Sequence, residues 1–547
     1  MLLGLVVRLP GLHESLWYDE LFATRLKLGN VLLLGHQLLY DVHPPAYVGS
    51  MYLWIKLFGD SEIAIRMPAL IAGCLSIGLL YAIGRRLMSR SVARLAAILM
   101  ALSPVHIWYS QEARQYSPAL CLLLLAILAY YELQNPRPAR RWLVLYTVAM
   151  FAAVFSHYFI AIYPASIAAL CLLKPIDRSS RQLMVINTAI VLSMLAFVGA
   201  KQLVGDVPTS LYYLRSFTPT EAWRLFFDWF LLGSSYPLGD PLVRMLVVSV
   251  RLIFLGFLAA GLWRIIADSR RNGSDDWLAI GLFLFGLPAA LWILSLAGLD
   301  HFYIERSALV LLPFFLLALA SGIAGGASGA RRAAFSTFAL VVATTTLVTF
   351  HLHSDTWTVY RPNPDWRSAA AYLDPDRREP ADGEAALPSI AFTTGRATVL
   401  NYYDRNIGEE ATSLAGKATA KFDQLERSLG RDNVVVRWVS PRLRLALADL
   451  TRETRLDLLE VDDARTIYEA LAVRGGRSFY LVHNRYRALR PPERQEHFEA
   501  LLAELKSDPR LSLLRSRRFD GLEIYTFALS DTASVADSST AARRLVP

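Results

Sequence analysis

The stretch SEIAIRMPALIAGCLSIGLLYAIGRRL, residues 61–87, indicates the fold class most directly. Its apolar run from about residue 63 to 84 has the length needed to cross a bilayer, roughly 17 to 25 residues. Arg85 and Arg86 follow immediately, as expected where a helix leaves the membrane on its cytoplasmic side. The stretch therefore predicts a transmembrane helix whose carboxyl end is cytoplasmic.

Further apolar runs make most of the chain a membrane protein. The chain has 547 residues and is 54% hydrophobic, which is unusual for a soluble enzyme of this length. The N-terminal MLLGLVVRLP supplies only half of a required crossing and fits a signal peptide poorly, so we interpret it as a first helix shortened by a misplaced start or by truncation. We predict a mainly α polytopic membrane helix bundle of about 11 spans. Besides 63–84, the predicted spans are 92–110, 117–134, 142–156, 158–173, 183–203, 243–263, 277–298, 307–323 and 333–351.

Basic residues predict the orientation of these spans. Residues 1–350 carry 27 Lys and Arg against 18 Asp and Glu, whereas residues 351–547 carry 29 of each, so the net charge of +9 lies in the membrane part. Positively charged loops stay on the cytoplasmic side. The intervening segments, with Asp19, Glu20 and everything after about residue 351, then face the outer side of the plasma (inner) membrane. The five cytoplasmic loops carry Arg85, Arg86, Arg90 and Arg94; Arg137, Arg140 and Arg141; Lys174, Arg178 and Arg181; Arg264, Arg270 and Arg271; and Arg331 and Arg332.

Composition also argues against some functions. Lys and Arg do not form a dense patch with interleaved aromatic residues, so nucleic-acid binding is not indicated. The three cysteines lie inside apolar runs without paired ligand spacing. We therefore predict neither a disulfide framework nor a zinc site.

Residues 352–547 differ in character from the membrane part. Charge density is ordinary there, and the short β-rich runs SIAFTT, NVVVRWV, RSFYLVHN and LEIYTFAL alternate with amphipathic segments such as EHFEALLAELKSD. This pattern predicts a soluble α/β domain. We place it at 352–530, after a transmembrane domain at 1–351, and expect the small polar stretch 531–547 to be a disordered tail.

Five polar segments fall on the predicted outer face at one membrane level. Their carboxylates, guanidinium groups and imidazoles suit a reaction in which a base removes a proton while an Arg holds an anionic leaving group. Arg is suited to this role because its planar fork can bind two phosphate oxygens at once. Energy on that face must come from an activated substrate, since nucleotide sugars are largely cytoplasmic. The segments are WYDE at 17–20, DVHPPAY at 41–47, YSQEARQY at 109–116, SHY at 156–158 and YIER at 303–306.

Each segment taken singly also has a structural explanation. Arg114 and Arg306 are placed where interfacial anchors occur, and an adjacent acidic pair is often a charge pair at a helix N-terminus. The sequence HPP often only breaks a helix, and a lone His157 is more often a satisfied interfacial histidine than a catalyst. The joint occurrence of these groups on one predicted face favours the functional interpretation.

The ordered series of motifs resembles the C-type (GT-C fold) polytopic membrane glycosyltransferases over about residues 10–375. The similarity is greatest to the branch that contains the bacterial aminoarabinose and galacturonic acid transferases and the protein O-mannosyltransferases, glycosyltransferase family 39. The motifs that carry it are WYDE, HPPAY, SEIAIRMPALIAG, GRRL, ALSPVHIWYSQEARQYSPAL, SHYF, YIERSALVLLPFFLLALASG and PDWRSAAAYL. The sequence after about residue 375 carries no assignable motif.

The resemblance implies a reaction and a set of site residues. It implies a hexosyl or pentosyl transfer from a polyprenyl-phosphate carrier, with inversion at the anomeric carbon, at the outer membrane face. Asp19 matches the catalytic carboxylate and Glu20 the second acidic position, whereas Arg114 and Arg306 match basic positions that contact the carrier phosphate. The acceptor stays open between a glycan, a lipid and a protein, and a divalent metal ion is an open alternative to the absence of a cofactor. Further matching positions, expected to line the pocket, are His43, Glu112, Tyr116 and His157.

Two other classes of protein share some of these features. A carrier or flippase for a polyprenyl-linked glycan would also need many spans and cationic groups, but transporters place their binding groups near the bilayer midplane and often have repeated halves. A nonenzymatic scaffold for the C-terminal domain explains neither the acidic pair nor the arginines. The clustering at one interface favours the enzyme over the carrier, and the carrier over the scaffold.

Overall fold

The computed structural model divides the chain into two units. The first unit comprises Met1–His13 with Leu34–Arg361, and the second comprises Glu14–Leu33 with Pro362–Pro547. The residues that the structure describes are 1–20, 43–135, 138–173, 178–204, 215–233, 241–298, 303–325, 329–352, 364–373, 388, 390–393, 407–408, 456–460, 463–474, 477–484, 492–519 and 521–530.

The first unit is built from helices, and each predicted span coincides with a helical segment. The helix Glu62–Leu87 begins at Ser61, whose side chain accepts a hydrogen bond from the amide of Ala64 and so caps the first turn. The α-helices are Leu2–Val6, Pro45–Phe58, Glu62–Leu87, Arg90–Leu102, Pro104–Ser110, Tyr116–Glu132, Arg140–Val154, Ile162–Leu172, Arg178–Val204, Pro219–Trp223, Pro241–Asn272, Asp276–Leu296, Leu312–Ala324 and Gly329–Leu352. Tyr158–Ala161 and Glu305–Leu311 are 3-10 helices, and Arg224–Phe230 is a π-helix.

Several helices are shorter than the apolar runs suggest. Within the described residues, five helices are long and apolar enough to cross a membrane, or six if a bent pair counts as one span. That pair, Arg90–Leu102 and Pro104–Ser110, bends by 61° because Pro104 cannot donate the amide hydrogen bond that would continue the helix. Other predicted crossings are short helices such as Tyr116–Glu132, with 17 residues. The mainly helical membrane fold is confirmed, and the count of about 11 spans stays a prediction.

The helix Leu312–Ala324 lies at the centre of the first unit. All of its residues are buried, and it packs against the helices Pro241–Asn272 and Arg90–Leu102. A Cβ on Gly261 would lie 1.8 Å from the carbonyl oxygen of Ala318, and one on Gly322 would lie 1.7 Å from that of Phe257. Only glycine permits so close a backbone approach, which is a common way for membrane helices to associate.

In the described part of the second unit, six strands form a mixed sheet. The strands are β1 Ile390–Thr393, β2 Ile407–Gly408, β3 Leu456–Glu460, β4 Ser478–Asn484, β5 Leu511–Phe519 and β6 Leu522–Leu529, in the order β2-β3-β1-β4-β6-β5. The pairs β2–β3, β3–β1 and β1–β4 are parallel, whereas β4–β6 and β6–β5 are antiparallel. Among the described residues of this unit, the α-helices are Trp366–Leu373, Ala464–Arg474 and Pro492–Ser507.

The predicted C-terminal α/β fold is confirmed. SIAFTT, RSFYLVHN and LEIYTFAL correspond to β1, β4 and β6, and EHFEALLAELKSD lies in the helix Pro492–Ser507. The run NVVVRWV and the predicted tail 531–547 lie outside the described residues. The strands β2, β3 and β5 were not predicted from the sequence. In β5 the buried and exposed residues do not alternate.

Candidate active site

The break in the span at 90–110 is stabilised by a buried arginine from the N-terminal segment. Arg8 is completely buried, and its guanidinium donates to the carbonyl oxygens of Ala101, at 3.1 Å, and Met100, at 3.4 Å. It also contacts His106 Nδ1 at 2.6 Å and donates to Ser110 Oγ at 3.1 Å. Arg8 thereby supplies donors to the carbonyl groups at the end of the helix Arg90–Leu102, of which that of Met100 also accepts from the amide of Ser103 at 3.4 Å. Arg8 was not predicted as a functional residue, although a charged residue in an apolar segment is a signal of function.

The bend leads into a turn of buried polar residues that presents Arg114. Gln111 donates to the carbonyl oxygens of Arg8, at 3.1 Å, and Pro10, which ties the turn to the N-terminal segment. The amide of Arg114 donates to the carbonyl oxygen of Glu112 at 2.7 Å. Glu112 is buried as well, so the structure places this predicted site residue in the same turn as Arg114.

Arg114 and His43 form a direct pair. Arg114 is buried, and its Nη2 donates to His43 Nε2 over 2.9 Å. Because a guanidinium can only donate, Nε2 of His43 is the acceptor and its proton is on Nδ1. His43 directly precedes Pro44, which is the N-cap residue of the helix Pro45–Phe58. The HPP sequence therefore does start a helix, and it also holds a histidine against Arg114.

Tyr116 brings the two predicted arginines together. The guanidinium carbon of Arg114 lies 5.9 Å from the centroid of the Tyr116 ring, and that of Arg306 lies 6.0 Å from the same centroid. The face of an aromatic ring attracts cations. The ring itself is buried and is the first residue of the helix Tyr116–Glu132. Two positive charges are thus held near one rigid side chain.

His157 completes this cluster from the loop between the helices Arg140–Val154 and Ile162–Leu172. Its ring centroid lies 5.7 Å from that of Tyr116. Burial, and to a lesser extent the positive charges of Arg114 and Arg306, lower the pKa of His157 to about 3, so the imidazole is neutral at physiological pH. Its Nδ1 is buried and has no hydrogen-bond partner among the described residues.

Lys201 is a further member of the cluster that the sequence analysis missed. Its Nζ donates to the backbone carbonyl oxygen of His43 over 3.2 Å and lies 5.4 Å from the centroid of the Phe197 ring. The residue is buried near the carboxyl end of the helix Arg178–Val204. A single lysine near the end of an otherwise apolar span was the available signal.

The basic side chains outnumber the acidic ones in the described part of this cluster. Arg114, Lys201 and Arg306 carry positive charge and His157 is neutral, against the single acidic side chain of Glu112. Such a group of donors in a partly dehydrated site is suited to an anion with several oxygens, such as a phosphate. Among the residues that the structure describes, no three His, Cys, Asp or Glu side chains are grouped as metal ligands.

The acidic pair belongs to the second unit, in a 3-10 turn at Tyr18–Glu20. Glu20 is completely buried. Its Oε2 accepts a hydrogen bond from the amide of Trp17 at 3.2 Å, and its own amide donates to the carbonyl oxygen of Trp17 at 3.0 Å. Asp19 is partly exposed. Glu20 thus closes the turn, and Asp19 is the more accessible of the two carboxylates.

The turn is tied to the helix Trp366–Leu373 of the same unit. The amide of Arg367 donates to Ser15 Oγ over 3.3 Å. The side chain of Asp365 accepts from the amide of Ser368 at 3.1 Å and caps that helix. The motif PDWRSAAAYL, which follows the last predicted span, therefore forms part of the support of the acidic turn.

Comparison with known proteins supports the resemblance inferred from the motifs. Residues 42–200 match the model of the dolichyl-phosphate-mannose-protein mannosyltransferase family. This range includes His43, Arg114, Tyr116 and His157, and it ends one residue before Lys201. No curated protein sequence matches the chain significantly.

Two solved structures resemble the whole chain. One is ArnT from Cupriavidus metallidurans in its apo state, with 13% identity and a TM-score of 0.52; the match covers 95% of this chain and 96% of ArnT. The other is the same protein bound to undecaprenyl phosphate, with 11% identity and a TM-score of 0.50; the match covers 97% of both chains. At these identities the likeness concerns the fold, and it spans nearly the full length of both proteins. The chain is accordingly a multi-pass membrane protein with the C-type membrane glycosyltransferase fold, and its residues 42–200 resemble the protein mannosyltransferase family.

Proposed function

We propose that the protein is a polyprenyl-phosphate-sugar-dependent glycosyltransferase. It moves a hexosyl or pentosyl group, with inversion, from a polyprenyl-phosphate donor to a glycan, lipid or protein acceptor at the outer face of the membrane. The observation that carries the proposal is the approach of Arg114 and Arg306 to one buried ring, that of Tyr116, at 5.9 and 6.0 Å. Two guanidinium groups that both approach one ring are suited to binding the phosphate of the donor.

In the proposed reaction the cations act on the leaving group. The bond between the anomeric carbon and the phosphate oxygen breaks, and polyprenyl phosphate departs with the electron pair. Negative charge therefore increases on the phosphate in the transition state. Arg114, Arg306 and Lys201 are placed in advance to stabilise that charge, which is more effective than stabilisation by reorganising water.

Asp19 acts on the acceptor. An ionised carboxylate removes the proton from the acceptor hydroxyl or amine as that group attacks the anomeric carbon. Attack from the face opposite the leaving phosphate inverts the configuration at that carbon. Glu20 keeps the turn closed through its bond to the amide of Trp17. His43, Glu112, Tyr116 and His157 line and shape the phosphate site.

The position of the donor site relative to the membrane follows from charge. The five basic loops are expected in the cytoplasm, which puts the acidic turn and the second unit on the outer side. An alkaline-phosphatase reporter fused after residue 351 should therefore be active in cells, and a reporter fused near Arg271 should be inactive. The reverse pattern would refute the outer-face placement.

Transfer and transport predict different fates of the donor. When the purified protein is incubated with a polyprenyl-phosphate sugar labelled in the sugar and with an acceptor drawn from glycans, lipids and peptides, we expect the label to move from the lipid to the acceptor and polyprenyl phosphate to appear in equal amount. A carrier or flippase would move the donor across proteoliposomes with the glycosidic phosphate bond intact. Transport without cleavage would therefore show that the protein is a carrier or flippase and not a transferase. Panels of donors and acceptors in the same assay would identify the sugar and the acceptor.

A further inference from the structure

A bridge between two distant segments lies directly before Arg306. The amide of Arg215 donates to the carbonyl oxygen of Tyr303 over 2.8 Å, and the amide of Tyr303 donates to the carbonyl oxygen of Arg215 over 3.0 Å. The side chain of Arg215 reaches the same segment, since its Nη1 lies 3.1 Å from Glu305 Oε1. Both the backbone and the side chain of Arg215 therefore hold the residues that lead into Arg306.

Aromatic packing supports this bridge from within. The rings of Phe217 and Tyr303 are both buried and meet edge to face with centroids 4.8 Å apart. The amide of Phe217 donates to Ser295 Oγ over 2.9 Å, which attaches the segment to the helix Asp276–Leu296. We refer to Arg215, Phe217, Tyr303 and Glu305 as the clasp.

Arg306 is held on its other side by the protein core. It lies in the first turn of the 3-10 helix Glu305–Leu311, which continues into the buried helix Leu312–Ala324. Close packing leaves little freedom at that end. The clasp fixes the chain on the N-terminal side of Arg306, and the buried helix fixes it on the C-terminal side. Together these two attachments determine where the guanidinium of Arg306 lies.

We infer that the clasp is a positioning element for donor binding, and that Arg215 acts on the donor phosphate through Arg306. The inference rests on the proposed function. A stabilising role alone is a weak explanation for Arg215, because its side chain is 58% exposed and exposed ion pairs contribute little to stability. Displacement of a binding group by about 1 Å can have a much larger effect on function.

Charge reversal at Arg215 tests this inference, and Arg224 provides a matched control. Arg215→Glu places like charges at Glu305 and also near Glu221, which lies 3.9 Å from Arg215. Arg224→Glu makes the same change at a side chain that is 55% exposed and paired with Glu221 at 2.8 Å. With undecaprenyl phosphate as the probe, we expect Arg215→Glu to bind about tenfold more weakly than the parent and Arg224→Glu to stay within about twofold, as for an ordinary surface pair.

Rescue separates positioning from a general loss of fold. Arg215→Glu combined with Glu305→Arg restores opposite charges at the same two places, so this double variant should recover most of the lost affinity. A defect unrelated to this pair of charges would not be repaired in this way. Equal binding by the Arg215→Glu and Arg224→Glu proteins, or failure of the double variant to recover any affinity, would overturn the inference.

Amide hydrogen exchange provides a readout that does not depend on the donor. In Arg215→Glu, and not in Arg224→Glu, peptides covering 303–311 should exchange faster, because the bridge protects the amide of Tyr303. Unchanged hydrogen exchange in Arg215→Glu would refute the role of Arg215 in holding residues 303–311 in place. A parent protein that binds no undecaprenyl phosphate would instead overturn the proposed function, whatever the exchange pattern, so the two failures are distinguishable.

Discussion

Asp19→Asn should lower the rate of sugar transfer by a factor on the order of 10³, within the range of about 10² to 10⁴ that general acid-base catalysis contributes. Asparagine has nearly the shape of aspartate but cannot accept the acceptor's proton. Asp19 is the more accessible carboxylate of the turn Tyr18–Glu20, so the exchange should leave the fold and the binding of the donor intact. The measurement is turnover of a defined polyprenyl-phosphate sugar by the purified variant.

Glu20→Gln is the matched control for Asp19. Glutamine keeps an oxygen that can accept the hydrogen bond from the amide of Trp17, which Glu20 Oε2 now accepts at 3.2 Å. We therefore expect this variant to retain most of the parent rate. An Asp19→Asn enzyme that retained most of its activity would remove Asp19 from the mechanism. A loss of transfer activity in Glu20→Gln alone would identify Glu20 as the general base.

Arg114→Lys and Arg306→Lys should each weaken donor binding by about 10- to 100-fold, the factor that corresponds to a hydrogen bond to a charged group of about 1.5 to 3 kcal/mol. Lysine keeps the positive charge but loses the planar fork that binds two phosphate oxygens. Arg114→Lys also loses the 2.9 Å bond to His43. Binding of undecaprenyl phosphate and of the sugar donor, measured in detergent, checks the prediction.

The double variant of these two arginines adds a test of shared function. Because both guanidinium groups lie within 6.0 Å of the Tyr116 centroid, their effects on binding should not be additive. Arg94→Lys, at an exposed position of the helix Arg90–Leu102, is the control and should bind like the parent. If both single variants also bound like the parent, Arg114 and Arg306 would be interfacial anchors.

The membrane helices were predictable because each is a local property of the chain. A run of apolar residues is stable in a bilayer only as a helix, since every backbone polar group must find its partner within the segment. The run at 63–84 therefore predicted the helix Glu62–Leu87 to within a few residues. The strands β1, β4 and β6 were equally local, because β-branched and aromatic runs favour extended structure.

The candidate site was predictable in its members more than in its geometry. The motifs identified Arg114, Tyr116, His157 and Arg306, and the structure brings them together. The motifs matched Asp19 to the catalytic carboxylate and Glu20 to the second acidic position, but they did not predict that Glu20 is buried against its own turn while Asp19 is partly exposed. That difference depends on a side-chain direction, which a sequence pattern does not contain.

The sequence by itself determined the class of the fold, the approximate helices and most of the polar residues of the candidate site. Only the tertiary structure decided that Arg8 supports the break before Pro104, that Lys201 contacts His43, and that Arg215 pairs with Tyr303. The physical reason is the distance along the chain. Local structure follows from the burial and hydrogen bonding of neighbouring residues, whereas these contacts join segments whose meeting depends on the packing of all the helices between them.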